Sequence, residues 1–144
     1  MAEREILFRG KRNDNGEWVE GSFCGLDLDS GSYSYIIENS RRMNKSTVFD
    51  DFQHNSVLVI PETVGQFTGS TDKNGKKIFE GDIVSLTKWK GLIYKVVYDN
   101  CRYELYNANE TSCYVLSIYK SKDIEVIGNI HDNPEILKGG GNDG

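Results

Sequence analysis

A chain of 144 residues and 16.3 kDa, 38% hydrophobic and 27% charged, has the size and make-up of one ordinary soluble domain. Chains of this length bury about 68 to 70% of the surface that their unfolded form exposes, so the core requires no metal or disulfide staple. Twenty-two acidic side chains against 17 basic ones give a net charge of −5, which disfavours long-range attraction to nucleic-acid phosphates or an anionic membrane.

The opening MAEREILFRG lacks the apolar centre of a secretory signal, and no stretch approaches the roughly 18 apolar residues that cross a bilayer. A cytoplasmic protein is therefore expected. Cys24, Cys101 and Cys113 are odd in number and widely spaced, which fits free thiols rather than a disulfide framework or a zinc site.

In chain order, the dominant pattern is a period of two. Strands are expected near residues 4–9, 17–24, 32–38, 56–60, 63–67, 82–88, 91–98, 102–106, 113–119 and 124–130. In GSYSYIIEN, Tyr33, Tyr35 and Ile37 share one side, whereas Ser32, Ser34 and Glu38 share the other. In LIYKVVYD, Leu92, Tyr94, Val96 and Tyr98 oppose Lys95 and Asp99; in CYVLSIY, Tyr114, Leu116 and Ile118 align. Asn15-Gly16 and Asn74-Gly75 suit tight hairpin turns, because both residue types accept positive φ. Helix is scarce: STVFDDFQH at 46–54 allows a short turn inside a polar, mobile loop at 39–55, and Pro134 to Leu137 allows one turn more. Beyond it, 139–144 has nothing to bury and is expected to be disordered.

Several stretches approach a chemical motif and miss it. Gly69 to Lys76 has its glycines one residue too far apart for a phosphate loop, Lys77 replaces the metal-binding hydroxyl, and a strand follows instead of a helix. Asp27, Asp29 and Glu38 have calcium-loop spacing, yet Gly31 and Ser32 stand where an oxygen ligand and the obligatory Gly belong. A cysteine nucleophile would have only His54 and His131 to draw on, with no local feature that lowers a thiol pKa. No catalytic residue, metal site or cofactor is expected. Lys88-Trp89-Lys90 with Tyr94 nearby is the one patch suited to nucleic acid, cations for phosphate and rings for stacking. The acidic net charge favours the competing account, in which Trp89 packs inside the fold.

Three segments together resemble the YopX family of small phage and prophage proteins. They are Ile6 to Gly10 with Trp18-Val19-Glu20-Gly21, the central GQFTGSTDKNGKKIFEGDIV at 65–84, and IEVIGNIHDNPEIL at 124–137. The central block carries most of the specificity through Phe67, Thr68, Gly69, Asp72, Asn74, Gly75, Gly81 and Asp82; Gly128 and Pro134 support it from the ending. The resemblance implies a mainly β domain over 1–138. Residues 1–61 form an N-terminal β portion, and 62–138 an SH3-like β-barrel or roll with very little helix. It implies no catalytic residue, and folding alone explains the shared letters: turns at Asn74-Gly75, a bulge or close approach at Gly81, local amides for Asp82. Eight tyrosines and two tryptophans exceed what a marginal core needs. The expectation is a phage or prophage accessory protein of the bacterial cytoplasm, non-enzymatic, acting through protein contacts and forming a homo-oligomer. The alternative is single-stranded nucleic-acid binding.

Overall fold

The computed structural model describes residues 5–38, 55–88, 92–107 and 114–140. The loop expected at 39–55 and the short helix at 46–54 lie almost wholly outside these residues, as do Trp89, Lys90, Cys113, His54 and 141–144. The chain is mainly β and divides into two compact units, residues 1–66 and 67–144.

The N-terminal unit is an antiparallel sheet in the order β4-β3-β2-β1, with β1 Phe8–Lys11, β2 Trp18–Leu28, β3 Gly31–Glu38 and β4 Ser56–Val59. Asn15-Gly16 makes the β1–β2 turn as the sequence predicts, with Gly16 at φ 74°. β2 and β3 pair without interruption from Gly21 opposite Glu38 to Leu28 opposite Gly31. The register of β1 stops at Gly21, opposite Phe8, and β4 covers only Ser34 to Ile37. Gly65 and Gln66, the start of β5 (Gly65–Thr71), flank Arg9 and Phe8 on the outer side of β1. The sheet curls until β4 meets the chain just after β1: Arg12 and Val59 form a bridge, Asn13 donates its amide to Leu58, and Ile60 donates to Lys11. Leu7, Ile36 and Val59 are buried. The alternation in β3 is thus real but its core side is the other one, because Ile36 is fully buried whereas Tyr33, Tyr35 and Ile37 are only half covered.

The C-terminal unit holds a second antiparallel sheet, ordered β10-β9-β8-β7-β11. β7 Asp82–Leu86, β8 Ile93–Asp99, β9 Arg102–Tyr106 and β10 Tyr114–Val115 form a meander, and β11 Ile124–Asn129 returns to pair with β7. The rest of β5 forms a hairpin with β6 Lys77–Phe79, a strand absent from the sequence-based expectation. Ile78, Val84, Leu86, Tyr94, Val96, Leu105, Leu116 and Ile124 make the core. Three tyrosines pack in series, Tyr94 on Tyr114 at 5.7 Å and Tyr114 on Tyr119 at 6.5 Å, both edge to face. Part of the aromatic surplus is therefore structural.

The barrel expected over 62–138 does not close. β10 ends after two residues in a 3-10 turn, Leu116–Ile118, so no long strand is available there to complete a ring. The same turn breaks the alternation expected for 113–119 and leaves Ile118 exposed while Leu116 is buried. The last described element is a helix, Pro134–Gly140, that lies against β8 and runs farther than the single turn expected.

Candidate functional site

The central block of shared letters folds into the β5–β6 hairpin and the turn into β7. At its tip Asp72 is 3% exposed, and its carboxylate accepts three backbone amides. Oδ1 takes those of Asn74 at 2.8 Å and Lys76 at 2.9 Å, and Oδ2 takes that of Val126 at 2.9 Å. The first two contacts are an Asx turn, the local structure that an Asp two residues before the Asn of Asn-Gly favours. Gly75 completes it with φ 80°, a conformation in which a Cβ would be strained. The third contact ties the hairpin to β11. Lys73 reinforces it, its amide donating to the Ile124 carbonyl at 2.9 Å and its Nζ standing 3.4 Å from Glu125. Burial acts to raise the Asp72 pKa, but the amides of Val126, Lys76 and Asn74, helped by the Lys76 charge, outweigh it and hold the carboxyl below its ordinary range.

The neighbouring letters are occupied in the same manner. Thr68 donates its hydroxyl to the Ile78 carbonyl at 2.8 Å and accepts the Ser70 amide, which spans the register shift between Phe67 and Thr71 where Gly69 sits. Phe67 packs on Phe79 at 5.7 Å. Asp82 is 1% exposed and accepts the Phe79 amide at 2.8 Å. Gly81 donates its amide to Val96 and accepts from Ile130, joining the turn to β8 and to the end of β11. Gly128 pairs with Ile83 just past a bulge, and Pro134 opens the terminal helix. Between them Asn129 accepts the amides of His131 and Asp132, and its own amide donates to the Asn133 side chain. Asn129 and Val126 escaped the sequence reading, although the Asn-x-x-Asp-Asn-Pro run is itself a turn signal.

The four residues of the nucleic-acid patch fare differently. Tyr94 is 1% exposed and turned into the core, opposite Val84 and against Tyr114, so its ring is closed to a stacking base. Alternation is the reason: the strand that wets Lys95 must bury Tyr94. Lys88 is largely exposed and stands 3.8 Å from Asp123. Trp89 and Lys90 lie outside the described residues. A second cationic and aromatic group occurs in the N-terminal unit, where the Arg9 guanidinium lies 4.5 Å and the Lys11 ammonium 5.6 Å from the Trp18 ring centre. There the cations engage the ring within the fold.

Among the described residues, the members of the rejected motifs do not come together. Asp27 and Asp29 sit at the β2–β3 hairpin end, where Ser32 donates to Asp27 at 2.7 Å, while Glu38 lies at the far end of β3. Cys24 is half buried, and Cys101 is exposed at the β8–β9 turn with φ 62°. A small cleft of about 260 Å³ is lined by Arg12, Asn13, Asp14, Ser56, Val57 and Leu58. Its charges are spent on each other: Arg12 and Asp14 make two bonds of 2.9 Å, with the hydrogen bond chiefly raising the guanidinium pKa and lowering the carboxyl's.

An apolar row with partial exposure lies on the N-terminal sheet. One face aligns Leu26 with Tyr33, and Cys24 with Tyr35 and then Leu58, across β2, β3 and β4. None of these residues is buried. Leu28 is 57% and Phe23 41% exposed.

In comparison with known proteins, the family model described as YopX protein matches residues 7–138. The crystal structure of protein EF1440 from Enterococcus faecalis is similar, with a TM-score of 0.52 and 27% identity over 94% of this chain and 99% of that one. A search of curated proteins finds no match.

Proposed function

Starting from the fact that the chain belongs to the YopX family, we propose that it is a phage or prophage accessory protein that works through protein contacts in the bacterial cytoplasm, not through catalysis. The observation that carries this reading is a partly exposed apolar row of the N-terminal sheet, in which Leu26, Tyr33, Cys24 and Tyr35 are half covered and Leu58 and Leu28 are exposed. Contiguous apolar surface of this kind is costly in water and marks contact sites. The shared letters support it from the other side. Asp72, Asp82 and Thr68 have carboxylates and a hydroxyl already engaged by backbone groups, so they serve shape first. In this reading the C-terminal unit is an SH3-like roll left open, supported by the order β11-β7-β8-β9-β10 and by the 3-10 turn Ser121–Asp123 that precedes β11.

The test is cross-linking of the tagged full chain in phage-carrying cells, wild type against Leu28→Asp. The expected result is a set of protein adducts that the variant loses. Nucleic acid recovered in a salt-sensitive manner, with Leu28→Asp without effect, would favour the nucleic-acid alternative instead.

A further inference from the structure

Lysines from three separate stretches of the C-terminal unit are gathered at one end of its sheet. The Lys73 amide donates to the Ile124 carbonyl at 2.9 Å, the Thr71 and Ser121 hydroxyls stand 3.4 Å apart, and the Thr87 amide donates to the Asp123 carbonyl at 2.9 Å. The hairpin tip with Lys73 and Lys76, the end of β7 with Lys88, and the 3-10 turn Ser121–Asp123 with Lys120 and Lys122 are therefore neighbours. All five lysines are exposed.

The carboxylates at this end do not cancel them. Asp72 is buried with its oxygens held by three amides, Glu125 stands 3.4 Å from Lys73, and the half-covered Asp123 stands 3.8 Å from Lys88. Among the described residues, no carboxylate lies within 4.0 Å of Lys76, Lys120 or Lys122. The opposite ends of the same strands carry Glu80, Asp99 and Asp132, so a cationic end is set into a chain whose net charge is −5.

Beside these cations stands a bare aliphatic side chain. Ile118, 69% exposed, closes the 3-10 turn Leu116–Ile118 two residues before Lys120; the turn gives Leu116 to the core and leaves Ile118 in water. An isoleucine adds nothing to phosphate binding, and the rings of this unit close by are not open to bases. Phe67 is 7% exposed and Tyr94 1%, while Tyr119 packs on Tyr114.

We propose that this end binds an acidic segment of another protein, one in which a bulky apolar residue stands among carboxylates. Lys76, Lys120 and Lys122 meet the carboxylates, and Ile118 takes the apolar residue. Charge complementarity sets the approach and the partner's sign, whereas apolar burial at Ile118 supplies the part of the affinity that salt does not screen. The footprint is small, so the complex is transient.

This goes beyond the protein-contact reading drawn from the N-terminal sheet, because it names a second surface and the chemistry that fits it. Fluorescence anisotropy of the full chain with a labelled peptide of alternating glutamate and leucine tests it, beside polyglutamate of equal length. The glutamate-leucine peptide is expected to bind the more tightly, and both to weaken tenfold or more between about 0.05 M and about 0.5 M salt. Lys120→Gln with Lys122→Gln is expected to weaken both peptides about tenfold. Ile118→Ser is expected to abolish only the advantage of the leucines. These positions are exposed, so the circular-dichroism spectra are expected to match wild type. Lys11→Gln with Arg12→Gln removes the same charge from the N-terminal unit and is expected to leave binding unchanged. No binding at about 1 mM chain, an equal loss from the two double variants, or an Ile118→Ser protein that still prefers the leucine peptide overturns the proposal. So does tighter binding of oligothymidylate or of phosphatidylserine vesicles through Lys120 and Lys122. Leu28→Asp is expected to bind the peptide as wild type does, which separates failure here from failure of the cross-linking experiment.

Discussion

The carboxylate of Asp72 and the backbone amide of Val126, 54 residues apart in the chain, meet at 2.9 Å. One oxygen of the same carboxylate shapes a hairpin while the other fastens it to the returning strand β11. A single shared letter of the family thus closes both a local turn and a connection between segments 54 residues apart.

Asp72→Asn is expected to destabilise the fold by about 2 to 4 kcal/mol, because the amide nitrogen would face the Val126 or the Asn74 and Lys76 donors without accepting from them. The sign of its pH dependence follows from the lowered folded pKa. The charge stabilises the fold fully above the unfolded value of about 3.9, and this contribution fades as pH falls through the depressed folded value. Urea unfolding of both proteins between about pH 6 and pH 3 is expected to show their difference shrinking with acid. A difference that does not change with pH would show that the charge is not what holds the turn.

Gly21→Ala is expected to be among the costliest single-methyl additions in the molecule. A Cβ at Gly21 would stand 2.0 Å from the Ile37 carbonyl oxygen and 3.0 Å from the Glu38 Cα, both backbone atoms of the paired strand. Neither can swing aside as a side chain would, so β2 and β3 must separate at about 3 kcal/mol or more. Hydrogen exchange read by mass spectrometry is expected to localise the loosening to residues 18–24 and 34–38, with the amides of β7 and β8 unaffected.

Tyr94→Ala and Tyr98→Ala separate the structural from the exposed tyrosines of one strand. Tyr94 is 1% exposed and holds the Tyr114 ring, so its truncation is expected to cost about 3 to 5 kcal/mol. Tyr98 is 55% exposed beside Tyr103, and its loss is expected to cost less than about 1 kcal/mol. Denaturant midpoints measure both. Comparable losses would contradict the packing described for β8.

The reading of local order from the sequence went far because its causes are local. Alternating letters, Asn15-Gly16, Asn74-Gly75 and Pro134 each act over a few residues, through φ preference, turn chemistry and the two faces of a strand. Strands β7, β8, β9 and β11 fall within a few residues of their expected places for this reason. The patch around Trp89 shows parity prevailing over nearness in the chain: Tyr94 is close in sequence to Lys88 and Lys90, yet β8 buries it with Val96, on the side that its alternation with Lys95 predicts.

The sequence by itself determined the family, the β character, the turns and the two-faced alternation of single strands. Tertiary structure alone decided which side of β3 is covered, that the C-terminal sheet stays open, and that Asp72 reaches Val126. These outcomes depend on pairings between segments far apart in the chain. A strand carries two chemically usable faces and two hydrogen-bonding edges, and only the arrival of a partner settles which of them meets water.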